Sequence, residues 1–140
     1  MENNNNKIDN NQKEFLRWNK QADFDLNAAE SSLKSKNYEW ACFQAQQAAE
    51  KALKSFLFLN GKRIIITHSI NKLIQNCITF NSEFKEIVEV KALDLYYIPT
   101  RYPNGLPDQI PHEFYKKEDA ELCVNYAKKT LSLIKKLTKK

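Results

Sequence analysis

Residues 38–54 read YEWACFQAQQAAEKALK, and this stretch decides the fold. Small residues recur along it at helical spacing and form a narrow strip on which another helix can pack closely; they are Ala41, Ala45, Ala48 and Ala52. Phe43 and Leu57 lie on a different side, with Gln47, Glu50 and Lys54 between them. A helix with so little solvent-facing surface belongs at the centre of a bundle or in a subunit interface.

Apolar stripes of the same period occur before and after this helix in the sequence. One covers about Asn11 to Lys34, and others follow Ser69, Ser82 and Asp119. Asn37 is the predicted N-cap of the second helix and Gly61 its C′ residue. The short connections predict antiparallel neighbours. The sequence therefore predicts an all-α fold, an up-and-down antiparallel bundle of about five helices in one domain (residues 11–140) behind a disordered polar N-terminus (residues 1–10).

Composition narrows the class of protein further. The chain has 140 residues, a net charge of +5 and two glycines, and so few glycines argue against an all-β fold. The positive charge permits binding of nucleotides or nucleic acid, although it is also common in soluble helical proteins. Cys42, Cys77 and Cys123 have no metal-ligand spacing and are expected to be reduced core residues. We predict no metal, no cofactor and no membrane span, and a cytoplasmic location.

All four prolines fall between Pro99 and Pro111. So long a segment without regular structure is uncommon in a small domain unless it has a function. It carries Arg101, which could hold a phosphate, and Tyr102, whose ring could stack on a base. The alternative is structural: Arg101 pairs with Asp25, a carboxylate within the apolar stripe of the first helix. The two interpretations are compatible.

The combination of the second helix and the proline-rich loop resembles the HEPN domain family of prokaryotes over roughly residues 14–137. The resemblance rests on Trp18, Ala22, Asp25-Leu26, Ala29, Tyr38, Ala41, Phe43, the block Gln46–Lys54, Gly61, His68-Ser69-Ile70, Leu73 and Thr100-Arg101-Tyr102-Pro103. It implies a helical bundle that forms a homodimer. It also implies a role beside a small nucleotidyltransferase encoded next to it, in nucleotide binding or in a toxin–antitoxin-like pair.

Many members of this family are metal-independent ribonucleases that carry an arginine, four to six residues and then a histidine near the start of the last long helix. This chain departs from that pattern. Ten residues separate Arg101 from His112, whereas Arg63 and His68 have four residues between them but lie between the second and third helices. The enzyme question therefore stays open, with His68, His112 and Arg101 as the candidate catalytic residues.

Three hypotheses follow. In the first, a homodimeric module binds a nucleotide, an RNA phosphate or a nucleotidyltransferase partner. Its candidate ligand-binding residues are Arg101, Tyr102, Lys51 and Lys54. Its candidate structural residues are Asp25 and Glu50. In the second, the chain is a metal-independent endoribonuclease in which a histidine activates a ribose hydroxyl and an arginine stabilises charge on the phosphate. In the third, it is an assembly partner only, and the proline-rich loop is a docking surface.

Overall fold

Helices make up nearly all of the regular structure in the computed structural model, which describes residues 2–139, with side chains from residue 10 onward. The α-helices are α1 (Glu2–Lys34), α2 (Tyr38–Leu59), α3 (Ile70–Ile78), α4 (Pro111–Phe114) and α5 (Lys117–Thr138). A 3₁₀ segment covers Ser82–Tyr96, and a shorter 3₁₀ turn covers Pro103–Gly105. The described part of the chain contains no strand, and none of its helices is long and apolar enough to cross a membrane. The predicted all-α single domain is confirmed.

Helix α2 is the centre of the bundle. It packs against α1, α3, α5 and the 3₁₀ segment, and α5 also packs against α1. The four alanines of its small-residue strip are fully buried, as are Ala22 and Ala29 of α1, so α1 and α2 approach each other closely. A short connection joins them, in which Lys36 adopts a φ of 65°. The predicted central helix is therefore confirmed.

The ends of the helices show why the chain turns where it does. Gly61 has a φ of 93°, and the backbone N–H groups of Gly61 and Lys62 donate to the carbonyls of Phe58 and Leu57, both at 3.0 Å. This is a Schellman motif, which confirms the predicted C′ glycine. Asn37 precedes α2 as predicted, but its side chain makes no capping hydrogen bond.

Two of the predicted helices differ from their predicted form. The predicted fourth helix is a 3₁₀ segment, and Ile87 interrupts its helical geometry (φ −118°, ψ 23°). Helix α1 begins at Glu2 instead of near Asn11. Met1 and the side chains of residues 2–9 lie outside the described residues, and the disorder of residues 1–10 stays a prediction.

The three cysteines are free and buried, as predicted. Removal from water raises the pKa of the Cys77 thiol well above its ordinary value of 9.0. A hydrogen bond with Cys42, together with burial, raises the pKa of Cys123 in the same direction. The Cys77 and Cys123 thiols therefore stay protonated in the core.

Candidate functional site

Arg101 lies in the proline-rich segment and reaches the N-terminal half of α2. Its Nε donates a hydrogen bond to the carbonyl oxygen of Tyr97 at 2.9 Å, which fixes the side chain. The guanidinium carbon is 4.4 Å from the ring centroid of Phe43, 4.8 Å from that of Tyr97 and 5.4 Å from that of Tyr102. Three aromatic rings thus hold a half-buried cation, because ring faces attract positive charge.

The remaining hydrogen-bonding capacity of Arg101 is unused. A guanidinium has five N–H donors, and only one of them is bonded within the described part of the chain. Among the side chains that the structure describes, no carboxylate lies within ion-pair distance of Arg101. A cation held by rings, with an open fork of donors, can bind an anion.

The predicted pair of Arg101 with Asp25 is wrong. Asp25 accepts hydrogen bonds from Lys51 Nζ at 2.5 Å and from Gln21 Nε2 at 2.9 Å. The physical reason is that Lys51 of α2 and Gln21 of α1 already satisfy this carboxylate at the α1–α2 contact. Arg101 reaches α2 two turns earlier, at Phe43. Asp25 is therefore paired at the α1–α2 contact, with a partner other than the predicted one.

His68 is held by a buried carboxylate. Its Nδ1 lies 3.2 Å from Glu50 Oε2; the histidine side chain is 54% exposed and that of Glu50 only 5%. Glu50 also accepts from Lys54 Nζ at 3.0 Å and from Gln46 Nε2 at 3.2 Å. A carboxylate on one ring nitrogen orients an imidazole and leaves the other nitrogen for chemistry.

Tyr97 joins His68 to Arg101. The His68 ring stacks on the Tyr97 ring with centroids 5.2 Å apart and planes 20° apart, and Arg101 lies over the same tyrosine. The structure therefore brings together Arg101, Tyr102 and His68 of the candidate residues. Arg63 is not among them, because it is exposed and its Nη1 donates to the carbonyl of Lys62.

Local structure places His68 at this position. Asp94, from the 3₁₀ segment, accepts hydrogen bonds from the N–H groups of Ile70 (2.6 Å) and Asn71 (3.1 Å), and the Ser69 side chain accepts from the N–H of Lys72. Both side chains satisfy free donors at the N-terminus of α3. The residue that precedes this cap, His68, is thereby fixed beside α2.

The second histidine, His112, has an equivalent arrangement that sequence reasoning missed. Its Nδ1 lies 2.9 Å and 3.1 Å from the two carboxylate oxygens of Glu39, a buried residue in the first turn of α2. Glu39 and Glu50 are eleven positions apart, about 16 Å along the helix. The two histidines therefore contact α2 at two separate points. The sequence does contain a signal for this contact: Glu39 is an acidic residue on a helix with almost no solvent-facing surface, so its carboxylate needs a partner within the protein.

Lys51 and Lys54 do not join Arg101. The Lys54 side chain is buried, bonds to Glu50 and lies 5.8 Å from the ring centroid of Trp18. Lys51 bonds to Asp25 and lines a separate cavity between α1 and α2. Within the described residues, no three His, Cys, Asp or Glu side chains are grouped so that they could hold a metal ion.

A family model for the HEPN domain matches residues 15–137. The chain belongs to the HEPN domain family. A presumed toxin of Methanocaldococcus jannaschii is 33% identical to this HEPN protein over 130 residues, which cover 86% of this chain and 85% of the relative. The resemblance stated from the sequence is thus confirmed.

Solved structures agree with the fold. A Thermus thermophilus protein is 36% identical with a TM-score of 0.82, over 87% of this chain and 96% of that one. An archaeal HEPN homologue is 35% identical (TM-score 0.72, 88% and 96% covered). A HEPN domain protein of Thermotoga maritima is 29% identical (TM-score 0.66, 86% and 96% covered).

Proposed function

We propose that this protein is a toxin-like HEPN module that binds the phosphate of a nucleotide or of RNA at Arg101. The observation that carries the proposal is the half-buried guanidinium, held by three rings and bonded through only one of its five N–H donors within the described residues. A planar guanidinium binds phosphate through two parallel hydrogen bonds. Tyr102 is half exposed, so its ring is available to stack on a base.

The proposal includes a homodimer and a nucleotidyltransferase partner, as the family resemblance implies. Exposed apolar side chains lie in and around the proline-rich segment and offer a surface for such a protein; they are Ile98, Tyr102, Ile110 and Phe114. The name of the Methanocaldococcus jannaschii relative supports a toxin-like role.

The test compares two arginine variants. We expect Arg101→Ala to weaken binding of a fluorescein-labelled single-stranded RNA by about ten-fold or more, because a charge-assisted bidentate contact is lost. Arg101→Lys should recover only part of the affinity, since lysine keeps the charge without the fork. Arg63→Ala removes an exposed arginine elsewhere and should leave fluorescence anisotropy titrations unchanged. Unchanged binding by a folded Arg101→Ala protein would refute the assignment, and so would a collapse of its thermal stability.

A second candidate function is a metal-independent endoribonuclease, favoured by the Glu50–His68 hydrogen bond beside Arg101. His68 would take the proton of a ribose 2′-hydroxyl, and the 2′-oxygen would attack the adjacent phosphorus. The bond from phosphorus to the 5′-oxygen would break, and the 5′-oxygen would take its proton from solvent water. Arg101 would stabilise the charge that develops on the phosphate. RNA cleavage in the presence of a chelator, lost in His68→Ala, would support this function, and its absence from the native protein would exclude it.

Copurification with a nucleotidyltransferase, unaffected by Arg101→Ala and without RNA binding, would leave assembly as the only role.

A further inference from the structure

An opening on the α1 side of the molecule lies apart from Arg101. It is a cavity of about 490 Å³ between α1 and α2, lined by Arg17, Trp18, Lys20, Gln21, Phe24 and Lys51. Its volume is in the range of small-ligand sites. The proposed phosphate contact at Arg101 uses none of these residues.

Two aromatic rings of this cavity are available to a ligand. Phe24 is 58% exposed, so its ring is open to solvent. Trp18 is only partly buried, and its ring lies against that of Phe58, with the two centroids 5.2 Å apart. Exposed rings on a fixed helix are suitable stacking surfaces for a planar base.

The cavity also carries positive charge and an amide. Arg17 pairs with Glu14, and Lys51 pairs with Asp25, so two of its three cations are partly neutralised. Lys20 is exposed and makes no ion pair with any side chain in the described residues. Gln21 donates to Asp25 and keeps its carbonyl oxygen as an acceptor. Cations for a phosphate, rings for a base and an amide for the base edge together match a nucleotide.

A continuous series of contacts connects the cavity to Arg101. Lys54 Nζ lies 5.8 Å from the Trp18 ring and 3.0 Å from Glu50. Glu50 bonds to His68, and His68 stacks on Tyr97, beside Arg101. Along α2, Phe43 and Lys51 are eight residues apart, about 12 Å.

We infer that the Trp18–Phe24 cavity is a nucleotide subsite that stacks a base on these two rings and places a phosphate near Lys20. The inference deepens the proposed function and rests on it for the ligand class. The nucleotide has two possible sources, a free nucleoside monophosphate or one residue of a single-stranded RNA that continues to Arg101.

Tryptophan fluorescence tests the subsite directly. Trp40→Phe removes the tryptophan that contacts Phe43, so the remaining signal comes from Trp18. In this background we expect adenosine 5′-monophosphate to quench Trp18 saturably and ribose 5-phosphate, which lacks a base, to leave it unchanged. Phe24→Ala should weaken the nucleotide by about five-fold or more, the low end of the loss of one base–aromatic stack. Lys20→Ala should also weaken it, whereas Lys13→Ala, on the same helix outside the cavity, should not.

The same variants are then titrated with an eight-nucleotide single-stranded RNA. A lower RNA affinity in Phe24→Ala identifies RNA as the source, and an effect on the monophosphate alone identifies the free nucleotide. The inference is overturned if neither ligand quenches Trp18, or if Phe24→Ala and Lys20→Ala bind as the parent does. That failure is distinct from failure of the proposed function, which Arg101→Ala tests separately. Circular dichroism of each variant confirms that it is folded.

Discussion

Removing the charge of Glu50 should destabilise this protein far more than removing that of Asp25. Glu50 and Lys54 form an ion pair in which both side chains are 5% exposed, and Gln46 and His68 complete the hydrogen bonds of the carboxylate. Glu50→Gln keeps the size of the side chain but leaves the Lys54 ammonium buried without a counter-charge. The Asp25–Lys51 pair has the same chemistry with 18% and 25% exposure, so Asp25→Asn is a matched control.

The expected magnitudes follow from burial. Breaking a buried pair by removing one partner costs about 3–5 kcal/mol, so Glu50→Gln should lower the free energy of unfolding by at least about 3 kcal/mol. Asp25→Asn should lower it by about 1 kcal/mol or less, because solvent screens a partly exposed pair. The double variant Glu50→Gln/Lys54→Met has no buried charge left, and we expect it to recover most of the loss, to within about 1 kcal/mol of the native protein.

Urea unfolding followed by circular dichroism measures the native protein, Asp25→Asn, Glu50→Gln, Lys54→Met and the double variant. The native protein, Glu50→Gln, Lys54→Met and the double variant form a double-mutant cycle. A loss below about 1 kcal/mol in Glu50→Gln would refute the reasoning. So would a double variant as unstable as Glu50→Gln, because the penalty would then not come from the unpaired ammonium.

Two further predictions concern a helix end and the surface. Gly61→Ala should lower the free energy of unfolding by about 1–2 kcal/mol, because φ of 93° is strained for a residue with a Cβ atom; an unchanged urea midpoint would contradict this. A hydrogen bond from Lys129 lowers the pKa of Glu89 below its ordinary 4.5. The pair therefore stabilises the native state above that pH, and the contribution is lost as the pH falls through the lowered pKa. The Tm difference between the native protein and Lys129→Met should be present near pH 6 and should shrink steadily as the pH falls below 4.5, and a constant difference would exclude the linkage.

The helices were predictable because their signals are local. The alanine strip of α2, Gly61 at its end and the prolines after Tyr97 each act through backbone geometry or side-chain period within a few residues. The 3₁₀ geometry of Ser82–Tyr96 was not predictable in the same way, since its apolar spacing also suits an α-helix and packing decides between the two.

The candidate site was predicted only in part. Arg101 and Tyr102 stood out in the proline-rich loop, and the structure adds that the guanidinium carbon lies 5.4 Å from the centroid of the Tyr102 ring. The role of Glu39 was missed, because its partner His112 is 73 residues away in the chain. The wrong prediction that Arg101 pairs with Asp25 has a similar origin. The sequence shows that this carboxylate needs a cation, but it does not show which of several cations the fold places beside it.

The amino-acid sequence by itself determined the helical class, the central position of α2, the place where the chain leaves it and the family to which the protein belongs. Only the tertiary structure decided that aromatic rings hold Arg101, that Glu50 holds His68, and that Trp18 and Phe24 border a cavity. The physical reason is that period and turn chemistry act over a few residues, whereas ion pairs and ring contacts depend on which distant side chains the packed helices bring within a few ångströms.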